Sequence, residues 1–277
     1  LTGLNEGHGT SIYHSFQGKV ERPLRSGLYA LGSFTYSRLY TNASNNTQAT
    51  ASFGNAGTGV ISPYNLKRQY AIAADNVPFN TTIAVVYDLP FGLNKHYLSS
   101  GGFSNLFVGG WQVSPIWQYS YGVPFAFKSG SCNAVSQFRE GCIPGIASGV
   151  KVLPNGRNGF DPSKNDGQYI NPTAFETDFS KFGYTGTGPV VTTIYGPSYK
   201  NIDVSFTKNS RITERVNFQL RANFFNAFNN HYFISQGNSS SGVGYAFNTD
   251  VAAPDFGKWN GTVSSPRTIQ FAGRIEF

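Results

Sequence analysis

The last eleven residues, Arg267 to Phe277, run Arg-Thr-Ile-Gln-Phe-Ala-Gly-Arg-Ile-Glu-Phe, and this stretch constrains the fold more than any other. Side chains of a strand point alternately to its two faces. Ile269, Phe271, Gly273, Ile275 and Phe277 therefore share one face, and Thr268, Gln270, Ala272, Arg274 and Glu276 share the other. A strand of a soluble sandwich is the competing reading of such alternation. The length and one-sided stripe fit a transmembrane β-strand, which needs about 9 to 11 residues to cross the hydrocarbon layer, with apolar groups towards lipid.

Composition matters here because it removes other ways of meeting a membrane. Aromatic residues make up 16% of the chain and charged residues only 13%, with 24 Phe, 16 Tyr and 32 Gly among 277 residues. No run approaches the roughly 18 apolar residues of a membrane helix, so contact with lipid has to come through strands. The formal net charge of +7 is scattered along the chain. It forms none of the clustered patches that phosphate backbones require, which argues against a nucleic-acid partner.

The same two-residue period recurs along the chain, predicting strands at Ser11–Pro23, Leu28–Leu39, Asn80–Leu89, Asn105–Tyr121, Tyr199–Lys208, Glu214–Phe225 and Arg267–Phe277. Tyr29 and Leu31 break the pattern of the second. Pro115 in the fourth cannot donate to a ladder, so a bulge or break is expected beside it. The links after strands one, three and five are short or moderate. Those after strands two, four and six, Tyr40–Phe79, Gly122–Ser198 and Asn226–Pro266, are rich in Gly, Asn and Ser and read as long irregular loops. In outer-membrane barrels short turns face the periplasm and long loops face outside. The expected fold is thus all-β, an antiparallel transmembrane β-barrel, with long loops extracellular and the carboxyl terminus periplasmic. Seven strands is an odd number, whereas single-chain bacterial barrels use an even one. Together with the missing initiator Met, this predicts that residues 1–277 are the carboxyl-terminal portion of a larger barrel. A missed eighth strand, in Leu1–Thr10 or in a loop, is the alternative.

Five stretches carry a resemblance. Tyr199-Lys-Asn-Ile-Asp-Val-Ser-Phe-Thr-Lys-Asn, Phe218-Gln-Leu-Arg-Ala-Asn-Phe-Phe-Asn-Ala-Phe-Asn and the terminal strand resemble the closing strands of Oar-like TonB-dependent outer-membrane receptors. Tyr87-Asp-Leu-Pro-Phe-Gly and Gly109-Gly-Trp-Gln-Val-Ser resemble the preceding hairpin of that family. The resemblance implies a barrel of about 22 strands. It implies further that an amino-terminal plug fills the barrel and that TonB energises it, with the plug and amino-terminal domains absent from this chain. It also implies an unnamed transported ligand. Phe271, Ile275 and Phe277 match the terminal pattern read by the outer-membrane assembly machinery. A surface adhesin or glycan-binding module, with Trp111, Trp117 and Tyr119 stacking on sugars, is the second reading.

Candidate site residues follow from these faces. Asp203, Asn217, Gln219, Arg221 and Arg274 are expected to face the lumen, touching the plug or simply solvating a polar interior. Cys132 and Cys142 are the only cysteines and lie close together in a polar segment. A local disulfide is expected, with two free thiols as the alternative; a bond would imply an oxidising compartment. Enzyme chemistry finds little support, a membrane-embedded hydrolase assembled from distant loop residues being the alternative. His8, His14, His96 and His231 fall outside metal-ligand spacings, no nucleophile elbow occurs, and no cofactor is implied. Asp161, Asn165 and Asp166 lack the alternating ligands and distal Glu of a calcium loop and read as a solvated turn.

Overall fold

The computed structural model describes residues 9–42, 66–93, 95–99, 103–127, 143–161, 163–178, 188–189, 191–213, 215–234, 247–259 and 262–277. Cys132 and Cys142 lie outside them. The strands are β1 (Ser11–Arg25), β2 (Leu28–Thr41), β3 (Ala71–Ile72), β4 (Phe79–Asp88), β5 (Trp111–Ser120), β6 (Tyr199–Arg211), β7 (Asn217–Phe225), β8 (Phe233–Ile234), β9 (Thr262–Val263) and β10 (Thr268–Glu276). One antiparallel sheet runs β1-β2-β4-β5-β6-β7-β10, with the short β3 extending the edge of β4 along β2. The seven long strands follow each other in space as in sequence. No described helix is long and apolar enough to cross a membrane.

Register turns seven separate stripes into one surface, because residues paired across neighbouring strands share a face. Val20 stands opposite Gly32, Gly32 opposite Ile83, Ile83 opposite Trp117 and Trp117 opposite Ile202. On the far side of β6, Val204 stands opposite Phe224 and Phe224 opposite Ile269. An apolar band thus crosses the whole sheet without a slip, and a slip of one residue on any strand would have broken it. Tyr29 and Leu31, which spoil the sequence pattern, fall on the opposite face beside Glu21 and Ala84.

Local chemistry accounts for the strand ends. Ser26 and Gly27 both have positive φ, the two-residue turn whose twist matches the flanking strands. Pairing of β4 with β5 lapses between Ala84/Ile116 and Tyr87/Val113, opposite Pro115, and resumes in the same register. The proline therefore causes a break rather than a bulge, while its pairing with Val204 on the other side persists. The expected fourth strand starts too early. Phe103–Val108 is a short helix, α1, closed by the Gly109 amide donating to the Asn105 carbonyl at 3.0 Å. The Asn105 side chain accepts from the Leu93 amide at 2.7 Å, pinning the connection from β4. Phe107 consequently lies outside the strand. β6 extends three residues beyond the expected Lys208, and β7 begins at Asn217, leaving Val216 in the turn.

Burial is inverted relative to a water-soluble sheet. Among the described residues, no fully buried apolar side chain belongs to the seven long strands; all come from the connections. Val20 is 73% exposed and Phe271 72% exposed, in the edge strands β1 and β10. An apolar band of this extent in water would be an aggregation surface. In a bilayer it is the expected exterior.

The face assignment predicts unequal costs for a buried cation. Phe271→Arg should destabilise the folded protein in bilayers by about 2 to 4 kcal/mol, the cost at the midplane of an outer-membrane barrel, and Leu220→Arg, opposite Lys208 towards the short-turn end, by less. Gln270→Arg, on the other face, should be near neutral. Heat-modifiable gel mobility of the full-length protein reads the difference, and equal penalties on both faces would contradict the register.

Candidate functional site in a folded cap beside the polar face

The polar face is built by the residues alternating with the apolar band. On β7 and its neighbours, Gln219 donates to Asn209 at 2.9 Å and Arg221 donates to Gln219 at 3.2 Å. Arg274 lies opposite Gln219 and pairs with Glu276 at 2.9 Å, and Asn217 lies between Arg211 and Glu276. Asn217, Gln219, Arg221 and Arg274 are thus neighbours on one patch of two adjoining strands. Asp203 shares the face but stands apart from them. Its carboxylate accepts from the Asn226 amide at 2.8 Å and from the Asn201 side chain at 3.0 Å, fastening the start of the β7–β10 connection. That local structural role had no signal in the sequence.

Above one end of the sheet, the described parts of the two longest connections fold into a common unit. Phe125, Phe127, Tyr169, Ile170, Phe175, Phe247 and Phe256 form its buried core. Tyr169 stacks on Phe247 at 4.5 Å between ring centroids, and Phe127 meets Phe175 at 4.5 Å. Backbone pairing joins the segments: the Tyr169 amide donates to the Gly257 carbonyl at 2.9 Å, and the Trp259 amide to the Gly167 carbonyl at 2.9 Å. The Gln168 side chain bridges the carbonyls of Ile170 and Phe256 at 2.6 and 2.9 Å. A smaller cluster of Ile72, Ala74 and Val191 ties in the connection between β2 and β4. There Arg68 donates to the Gly188 carbonyl at 2.7 Å and Asn76 to the Tyr195 hydroxyl at 3.2 Å. Burial pushes the Tyr195 hydroxyl up from its ordinary pKa.

The sequence predicts irregular segments here, and their described parts form a folded cap. Its aromatic residues have no period, so the stripe that reveals a strand is missing. The available signal was the number of aromatic residues sitting in segments otherwise rich in Gly and Asn. The acidic turn is solvated, as its sequence suggests. Asp161 accepts from the Ser163 hydroxyl at 2.6 Å and pairs with Lys164 at 3.0 Å, and Asp166 pairs with Lys258. The Ser163 hydroxyl, with Lys164 and the Ser163 amide, holds the Asp161 carboxyl down at about 2. Lys258 likewise holds the Asp166 carboxyl below its ordinary range. Among the described residues no group of three His, Cys, Asp or Glu side chains is disposed to hold a metal ion.

A family model for an outer membrane beta barrel domain matches residues 2–270 of the chain. The chain belongs to that family. Comparisons with curated proteins and with solved structures find no match. The inverted burial now has its reason: this is an outer-membrane barrel protein, and its apolar band is the surface towards lipid. Trp111, Trp117 and Tyr119 belong to that surface, as their partners Lys208, Ile202 and Lys200 on β6 place them in the outward row. Phe271, Ile275 and Phe277 are 72, 61 and 99% exposed, on the edge strand and the terminus beyond it.

Cap integrity depends on one backbone position of the barrel protein. Gly257 has φ +74°, and a Cβ there would come within 2.6 Å of the Ile170 carbonyl oxygen. Gly257→Val should therefore open the cap locally, at a cost of about 1 to 2 kcal/mol for the left-handed backbone alone. Exchange of the Tyr169 and Ile170 amides, both bonded to the Gly257 carbonyl, should accelerate roughly 5- to 30-fold. Exchange in β6 and β7 should not change. Equal acceleration in the strands would show that cap and sheet are one cooperative unit.

Proposed function

We propose that this chain forms part of the wall and the ligand-facing cap of a TonB-dependent outer-membrane receptor, which moves a solute or a protein across the outer membrane. The carrying observation is the cap. The described parts of three long connections lie at one end of the sheet, two of them packed around one core and the third tied in by a smaller cluster, whereas the connections at the other end are short or moderate. Recognition surfaces usually reside on connections held by a rigid scaffold. The cap end faces outside and the carboxyl terminus lies at the periplasmic edge, following the loop asymmetry of such barrels. Asn217, Gln219, Arg221 and Arg274 line the lumen or touch a plug in this arrangement.

Two further elements complete the reading. Among the described residues, nothing pairs with the outer edges of β1 and β10. Unpaired backbone groups in hydrocarbon cost several kcal/mol each, so additional strands of the parent protein close the wall. The plug and the contact with TonB belong to those other parts, and Phe271, Ile275 and Phe277 are offered to the assembly machinery. For a glycan-binding module, Trp111, Trp117 and Tyr119 would have to leave the outward apolar row, and no observation favours that reading.

Cells carrying the full-length gene test the proposal. Tyr169→Ala removes the stack on Phe247 and the hydroxyl bond to the Arg157 carbonyl, at about 3 to 5 kcal/mol for a buried aromatic, all within the cap. Uptake or secretion should fall while the amount of protein in the outer membrane stays the same. Undiminished transport with a disordered cap would remove the cap from the ligand path.

A further inference from the structure

We propose that a cleft between the cap and the outward face of β6 binds the phosphate of an anionic lipid headgroup, in the leaflet at the loop end of the barrel. Arg157, Asn158, Phe160, Ser198, Lys200 and His231 line this cleft of about 170 Å³. Lys200 pairs with Tyr119 across β5 and β6, in the row one step beyond Trp117 and Ile202, so it stands on the lipid-facing side where the apolar band ends. Tyr119 donates to or accepts from Ser198 at 3.2 Å, and Phe79 packs on the Tyr119 ring at 5.8 Å. Aromatic residues with polar tips at this level mark the boundary between hydrocarbon and headgroups. Arg38, on the same face, reaches the hydroxyls of Tyr36 and Tyr40 at 3.4 Å and continues the belt along β2.

Arg157 is built into the cleft rather than draped over it. Its guanidinium lies 3.2 Å from the centroid of the Tyr121 ring and donates through Nη2 to the Tyr119 hydroxyl at 3.2 Å. Its carbonyl accepts from Tyr169 in the cap core at 3.0 Å. Ser198 is held by its amide donating to Asn158 at 3.2 Å. Nη1 of Arg157 is buried and has no hydrogen-bond partner. A buried cationic donor without an acceptor is costly, and the side chain that carries it lines the cleft. Among the described residues no carboxylate pairs with Arg157 or Lys200, so the described lining sets two cationic side chains in the cleft without a counter-charge. Arginine takes phosphate through two parallel bonds, and lysine as a point charge suits the same group. A phosphate carried on a lipid fits better than a free one, because the apolar band below Lys200 would receive the acyl chains. The inference concerns the membrane face and does not depend on what the parent protein transports.

Native mass spectrometry of the full-length protein, released from mild detergent after addition of bisphosphorylated lipid A, tests it. The protein should retain one lipid, and Arg157→Gln and Lys200→Gln should each weaken retention on the order of tenfold, the worth of one charge-assisted hydrogen bond. Lys200 is exposed, and among the described residues it makes no ion pair, so Lys200→Gln keeps the test valid if Arg157→Gln perturbs the cap. Dephosphorylated lipid A should show no difference between wild type and variants. Equal retention of the phosphorylated lipid by wild type and Lys200→Gln would overturn the site. Inorganic phosphate binding in the absence of any retained lipid would overturn the lipid assignment, making the cleft a solute site.

Discussion

Backbone hydrogen bonding inside hydrocarbon is the constraint from which the rest of this structure follows. A strand crossing a bilayer has no water to satisfy its amides and carbonyls, so each must find a neighbour along its full length. The unbroken order β1-β2-β4-β5-β6-β7-β10 meets that demand for all but the two outer edges. Even Pro115, which removes one donor, interrupts the ladder only locally and leaves the register intact on both sides. A register shift would have turned Trp117 or Phe224 inward and put Gln118 or Asn223 into lipid.

Once the wall is fixed this way, its side chains contribute little to a conventional core, and the apolar packing moves to the connections. Phe125, Phe127, Tyr169 and Phe247 are almost completely buried, whereas the strands below them expose much of their apolar surface. The protein therefore has two regions stabilised differently: a sheet held by its ladders and by lipid, and a cap held by aromatic packing in water. Polar contacts fasten the cap to the wall. Asp203 secures the start of one connection, and Arg157 joins the cap core to Tyr119 and Tyr121 at the wall's upper rim.

This division explains what the sequence made legible. The wall could be read because its pattern is local: alternation within a strand is set by lipid on one side, so Phe218, Leu220, Ala222 and Phe224 announce their face without reference to any partner. The cap could not, because its contacts join residues far apart in sequence, as when Tyr169 packs on Phe247 or Gln168 bonds to Phe256. Strand ends failed for the same reason. Phe107 continues the period of Trp111, Val113 and Trp117, so α1 reads as part of the following strand, while the bonds made by Asn105 that end the helix are invisible to period alone. Among the polar residues, Asn217, Gln219, Arg221 and Arg274 form a patch as their spacing suggests, but nothing local distinguishes Asp203 as a fastening for the backbone.

The central claim is that one face of this sheet meets lipid and the other meets water along its whole width. Spin labels placed singly at Asp203, Val204, Ser205 and Phe206 of the full-length protein in bilayers, and at Gln270 to Gly273, test it through their collision rates with oxygen and with a water-soluble nickel chelate. Oxygen should dominate at Val204, Phe206, Phe271 and Gly273, and the nickel reagent at Asp203, Ser205, Gln270 and Ala272. Accessibility that fails to alternate with a period of two, or that favours the nickel reagent at all eight positions, would contradict the account.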